Sequence, residues 1–158
     1  MDHIEELLGA DNVLCNADAR SRKRVLQMIA ELMADDEVGA DALFDGLMGR
    51  ERLGSTGLGD GVAIPHCRME CSQMRVALVS LPEPIDYEAS DGEPVDLLFV
   101  LVVPTEEQEA HLQALAVLAE VFSGPENRAA LRACDSNDQL REAMIERIAQ
   151  QVPSSRTA

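Results

Sequence analysis

PVDLLFVLVVP occupies residues 94–104, and between its two prolines only Asp96 is polar. A strand with one wet face alternates apolar and polar residues, whereas a strand apolar on both faces must be covered on both. Val95 to Val103 therefore reads as a central strand with helices on either side of its sheet. On its N-terminal side, Val76 to Leu81 reads as a second apolar strand and Ile85 to Tyr87 as a short one, followed by an Asp91-Gly92 turn. Val62 and Ile64 alternate with Gly61 and Ala63 in a further strand that Pro65 and His66 end. Before these strands, Val25, Met28, Ile29, Leu32 and Met33 recur at helical spacing across residues 21–35. Leu43, Phe44, Leu47 and Met48 do the same across 40–50.

After the central strand, Thr105-Glu-Glu-Gln108 reads as a capping box. It opens a helix that carries His111, Leu115, Leu118 and Phe122 on one stripe and stops at Ser123-Gly124-Pro125. A second box, Ser136-Asn-Asp-Gln139, opens a last helix bearing Leu140, Met144 and Ile148. This order of helices, strands and helices predicts an α/β (α+β) sandwich, a mixed β-sheet flanked by helices on both faces. No repeat or linker divides it, so one domain is expected over residues 1–151, with 152–158 a loose tail.

The 158 residues include 29 acids against 13 bases, for a formal net charge of −16. At 46% hydrophobic the chain is too apolar for a disordered acidic polymer. Its charge excludes general nucleic-acid backbone binding, which needs a basic face, and disfavours anionic membranes. The seven-residue run Leu97 to Val103 is too short for membrane insertion, which takes about 20 residues of helix. The opening MDHIEELL has no signal-peptide pattern, so a cytoplasmic location is expected. Cys15, Cys67, Cys71 and Cys134 are irregularly spaced and are expected to be free thiols. The acidic runs read as solvated faces and cap charges, and His3 as a surface residue. The basic cluster Arg20 to Arg24 opens a helix, where positive charge opposes the macrodipole; pairing with nearby acids and a docking role both fit.

Residues 50–66, RERLGSTGLGDGVAIPH, carry the chemistry. Four glycines and two hydroxyl residues fall between Gly54 and Gly61, and such loops either turn tightly or cradle an anion on successive N–H groups. The loop is neither a Walker loop, having no Gly-Lys-Ser/Thr, nor a dinucleotide fingerprint, since a strand follows it. His66 stands at its mouth, behind the stiffening Pro65. A neutral imidazole is a nucleophile near pH 7 without deprotonation, and a phosphoryl group beside the loop would be its target. Taken alone, a strand-end histidine fits a hydrogen-bonded structural role as well. Likewise Arg50 and Arg52 fit charges at a helix C-terminus, where cations are favoured. His66-Cys67 and Cys71 form an H-C-x-x-x-C cluster without the paired spacing of zinc sites, so no metal is assigned.

GSTGLGDGVAIPH (54–66) closely resembles the active-site signature of phosphotransferase-system enzyme IIA domains of the fructose, mannitol and nitrogen-regulatory type. The resemblance runs on through PVDLLFVLVVP and HLQALAVLAEVF (111–122) to the last helix, and looks most like the nitrogen-regulatory branch. It implies the mannitol-IIA-like fold, with phosphorylation of His66 on its Nε2 (tele) nitrogen by an HPr-like phosphocarrier. It further implies that Arg50 and His111 act beside His66, and that Ser55, Thr56 and Gly57 contact the phosphoryl group. No cofactor or metal is implied, because the donor is already activated. Regulatory target proteins, bound according to phosphorylation state, are the implied partners. The alternative is a sugar-specific IIA subunit that passes the group to a IIB partner. The family commonly has glycine directly after the histidine; Cys67 in its place is expected to narrow access or add redox sensitivity.

Overall fold

The computed structural model describes residues 4–89 and 91–151, so His3 and the expected 152–158 tail lie outside the described residues. In chain order come α1 (Ile4–Leu7), a 3₁₀ turn (Ala10–Asn12), β1 (Val13–Leu14), α2 (Arg22–Met33) and α3 (Ala40–Arg52). The strands β2 (Gly57–Gly59), β3 (Val62–Ala63), β4 (His66–Met69), β5 (Arg75–Ile85) and β6 (Val95–Pro104) follow. Then come α4 (Gln108–Ser123), α5 (Pro125–Arg132) and α6 (Asn137–Gln151).

The strands form one mixed sheet in the order β1-β5-β6-β3-β2, with β4 also on β6. As expected, β6 is central. It runs antiparallel to β5, with Val76 opposite Leu101 and Leu78 opposite Phe99, and parallel to β3 and β4. Every residue from Leu97 to Val103 is fully buried. Leu97, Phe99, Leu101 and Val103 join Leu118, Leu131, Leu140, Met144 and Ile148 in the core beneath α4, α5 and α6. Leu98, Val100 and Val102 join Val25, Ile29, Leu43 and Leu47 in the core beneath α2 and α3. The sheet is thus covered by helices on both faces.

β3 and β4 continue one another along the same edge of β6, Val62 opposite Leu97 and His66 opposite Leu101. Pro65 breaks the pairing between them, because it has no N–H to give. Its carbonyl still accepts from Leu101 N–H at 3.0 Å. His66 therefore opens a new strand; it does not end the previous one. Alternation across the break puts residues 62, 64 and 66 on the α4 side and residues 63 and 67 on the α2/α3 side.

Two of three helix boundaries differ in detail from the sequence reading. β6 runs to Pro104, whose carbonyl accepts from Glu107 N–H at 3.0 Å, so the turn takes residues 105–107 and α4 starts with Glu107 at its N-cap, not Thr105. The second box does form: Gln139 N–H donates to Ser136 Oγ at 3.1 Å, while Gln139 Oε1 accepts from Asp135 N–H at 2.7 Å. Pro125, read as a stop, also starts α5, since its missing N–H is no loss at a first helical position.

Candidate functional site

His66 is half-buried at the start of β4, and two hydrogen bonds tie its position to the glycine loop. Ile64 N–H donates to the Thr56 carbonyl at 3.0 Å, and the Ile64 carbonyl lies 2.6 Å from His66 Nδ1. A carbonyl oxygen can only accept, so Nδ1 carries the ring proton and the lone pair sits on Nε2.

β6 leads directly into α4, which folds back over the sheet and brings His111, in its first turn, to His66. The two rings stand 5.3 Å apart between centroids, tilted by 58°. His111 Nε2 is buried and has no hydrogen-bond partner, so a polar group placed between the rings would find an unused one. Burial lowers the His111 pKa below its ordinary 6.5, and electrostatic interaction with the neighbouring His66 ring and with the Arg68 and Arg50 guanidiniums lowers it further. Arg50, in the last turn of α3, donates through Nη1 to the Gly54 carbonyl at 2.9 Å. That contact belongs to the helix-end role; its charge is nevertheless felt at His111. Arg68 was not anticipated from sequence. It stands two residues beyond His66 on β4, hence on the same face, and that spacing was the available signal.

These relations give a measurable expectation. NMR titration should find His111 with a pKa below 6.5, and Arg68→Gln should raise it. Because the unfolded chain binds that proton more readily, the His111 contribution to stability is fully kept above the unfolded pKa and is lost as pH falls through it toward the folded value.

The glycine segment is a hairpin. Gly57 pairs with Ala63 and Gly59 with Val62, around a two-residue turn in which Asp60 and Gly61 have φ of 58° and 82°. Positive φ at both central positions is the turn that matches strand twist, which accounts for Asp-Gly. Gly57 is required for another reason: a Cβ there would stand 2.7 Å from that of Ala89, which closes over the loop.

Beneath the loop lies a buried carboxylate. Glu51 is 3% exposed; its Oε1 accepts from Thr56 N–H at 3.2 Å, and its Oε2 from the hydroxyls of Thr56 and Tyr87. Arg22 Nη1 lies 3.8 Å from Oε1, and its guanidinium also sits over the Tyr87 ring. Part of the basic cluster is thereby placed: Arg22 pairs with Glu51 and Glu88. Ser55 Oγ donates to the Tyr87 carbonyl at 3.3 Å and accepts from Gly57 N–H at 3.1 Å. The Ser55 and Thr56 hydroxyls, with the Thr56 and Gly57 N–H groups, are thus directed into the protein, where they hold the loop.

Cys67 does not crowd its neighbour. It points to the α2/α3 side, with Sγ 3.3 Å from where a Cβ on Gly46 would stand, opposite the face of His66. The two side chains therefore cannot share a metal ion. Burial pushes the Cys67 thiol up to about 11, which disfavours the reactive thiolate there.

A family model described as "Phosphoenolpyruvate-dependent sugar phosphotransferase system, EIIA 2" matches residues 6–147. The nitrogen regulatory protein of Pseudomonas aeruginosa is 40% identical over 149 residues, covering 92% of this chain and 97% of that one. Among solved structures, nitrogen regulatory protein IIA-Ntr from Neisseria meningitidis superposes with a TM-score of 0.85 at 35% identity, over 89% of this chain and 98% of that one. IIA mannitol from Escherichia coli shares the fold, with a TM-score of 0.73 at 20% identity, over 87% of this chain and 98% of its own.

Proposed function

As the chain belongs to the phosphoenolpyruvate-dependent sugar phosphotransferase system EIIA 2 family, we propose that it is a nitrogen-regulatory phosphocarrier whose His66 takes a phosphoryl group from an HPr-like protein. The observation that carries this reading is the 2.6 Å contact of His66 Nδ1 with the Ile64 carbonyl, which leaves the Nε2 lone pair for attack. In the step, Nε2 forms a bond to phosphorus as the donor's own N–P bond breaks and returns its electron pair to the donor. Such transition states are loose, so the protein's task is positioning and charge stabilisation. His111 Nε2 meets a phosphoryl oxygen, and the Arg50 guanidinium turns from Gly54 to the same group. Arg68 adds positive potential in a chain whose net charge is −16. Ser55, Thr56 and Gly57, bonded as they are inward, keep the loop that fixes Ile64.

Leu53, Leu58 and Leu112 are the large hydrophobics exposed among the described residues, and they flank Arg50, the hairpin and His111 in sequence. We take them as the apolar rim on which the donor sits. Phosphorylation then adds charge at that rim, so the two states of the protein bind different regulatory targets. No helix among the described residues is long and apolar enough to cross a membrane, and the proposed place of action is the cytoplasm.

The test is incubation with phosphoenolpyruvate, enzyme I and an HPr-like carrier, read by intact mass, followed by addition of a sugar-specific IIB protein. One acid-labile phosphoryl gain, retained in the presence of IIB, supports the regulatory reading. Loss of the group to IIB assigns a transport subunit, and no gain with a competent donor pair overturns phosphoryl transfer. Arg50→Ala should still be phosphorylated, but about 10²–10³-fold more slowly in stopped-flow transfer.

A further inference from the structure

Cys15 and Cys134 are 119 residues apart in sequence and in contact in space. Cys15 directly follows β1, and Cys134 lies in the turn between α5 and α6. Cys15 Sγ donates to the Cys134 carbonyl at 3.2 Å, and Cys15 N–H donates to Asn137 Oδ1 at 2.7 Å. A carbonyl oxygen lies about 2.4 Å from its own Cα, so Cys15 Sγ is within about 5.6 Å of Cys134 Cα. The Cys134 thiol points back along α5, donating to the Ala130 carbonyl at 3.4 Å. Both side chains are free and partly exposed at the border of the α4–α6 core, unlike the buried Cys67. Nothing in the phosphoryl chemistry uses them.

We propose that Cys15 and Cys134 form a dithiol site for hydroperoxides, closing to an intramolecular disulfide on oxidation. The Cys15 thiolate attacks one peroxide oxygen; the O–O bond breaks, Cys15 becomes a sulfenic acid, and the departing hydroxide takes up a proton as water. Cys134 then leaves Ala130, gives up its proton, and attacks the Cys15 sulfur. The S–O bond breaks and a second water leaves. Two electrons pass from the sulfurs to the peroxide, so two thiols and hydrogen peroxide give one disulfide and two waters. Cys134 takes the resolving role because its thiol is turned back along α5 onto the Ala130 carbonyl, whereas Cys15 Sγ already lies against the Cys134 backbone; partial burial and the adjacent Cys15 also raise the Cys134 thiol pKa. The bridge ties the edge strand β1 to the α5–α6 turn, and a thiol reductant reopens it.

The experiment exposes the reduced full chain to hydrogen peroxide, blocks remaining thiols by alkylation, and maps peptides without reduction. The expected product is a monomer lacking two hydrogens, with Cys15 and Cys134 peptides linked. Its Tm should be about 5–10 °C higher, returning to the start with dithiothreitol. Cys134→Ser should stop at a sulfenic acid on Cys15, trapped by dimedone, and Cys15→Ser should give neither product. First oxidation at Cys71 or Cys67, or links only between chains, would overturn the proposal. The readout contains no phosphoryl transfer, so this result and that of the phosphorylation assay are independent.

Discussion

His66→Ala is expected to stay folded and to gain no phosphoryl group. Alanine offers no nucleophile, and loss of an attacking group costs at least about 10⁴-fold in rate, which places transfer below detection in an intact-mass assay. Stability should move little. The side chain is half-buried, its bond to Ile64 is worth about 1 kcal/mol net, and the backbone pairing of β4 with β6 remains. The Tm should therefore fall by only about 2–4 °C. His66→Gln, polar but without a ring nitrogen, should be equally inert. His111→Ala should instead be slowed and still labelled. Phosphoryl uptake by His66→Ala, mapped to His111, would reverse the assignment of the two rings.

The largest loss of stability is expected at Glu51. Its carboxylate is buried with four groups turned toward it: the Thr56 N–H, the Thr56 and Tyr87 hydroxyls, and the Arg22 guanidinium. Glu51→Ala strands the first three, while Arg22 keeps its pairing with Glu88. Removing one partner of a buried charged network costs about 3–5 kcal/mol, because the remaining groups keep their desolvation penalty. For a chain of this size that lowers Tm by about 6–20 °C in a thermal melt. Tyr87→Phe, which removes one donor and leaves the carboxylate served by the others, should cost only about 1 kcal/mol. Phosphoryl transfer should slow in Glu51→Ala as well, since Thr56 holds Ile64 and Ile64 holds His66. A Tm for Glu51→Ala within about 2 °C of the parent would show the network to be incidental.

The contrast between these two residues bears on what a sequence displays. His66 was singled out by the resemblance of GSTGLGDGVAIPH to a family signature, its glycines and proline alone leaving a structural role open. Glu51 is one acid among 29, at a helix end where exposure is the default. Its burial comes from Tyr87, 36 residues away. The same rule sorts the strands. β6 was legible because being covered on both faces leaves only apolar residues. β1 is two residues long and exists because Leu78 and Val79 of β5 stand ready to pair. β4 reads His-Cys-Arg-Met, with no alternation of apolar residues, and is made a strand by Leu101 to Pro104 alongside. The Asp60-Gly61 hairpin carried a strong local signal, masked by the glycines around it. The inward bonding of Ser55, Thr56 and Gly57 had no signal at all, since hydroxyls and N–H groups look the same whichever way they point.

The first and last described helices lie together: Ile4 and Leu8 share a core with Met144 and Ile148, and Arg141 Nε donates to the Leu8 carbonyl at 2.8 Å. On the ribosome this sets an order of events. The α2/α3 face of the sheet can close as soon as β6 has emerged, but the other face is only partly covered by α4 and α5 until α6 is made. A chain that ended near residue 125 would have this face without Leu131, Leu140, Met144 and Ile148, leaving apolar surface on the sheet and on α4 of the kind that holdase chaperones bind.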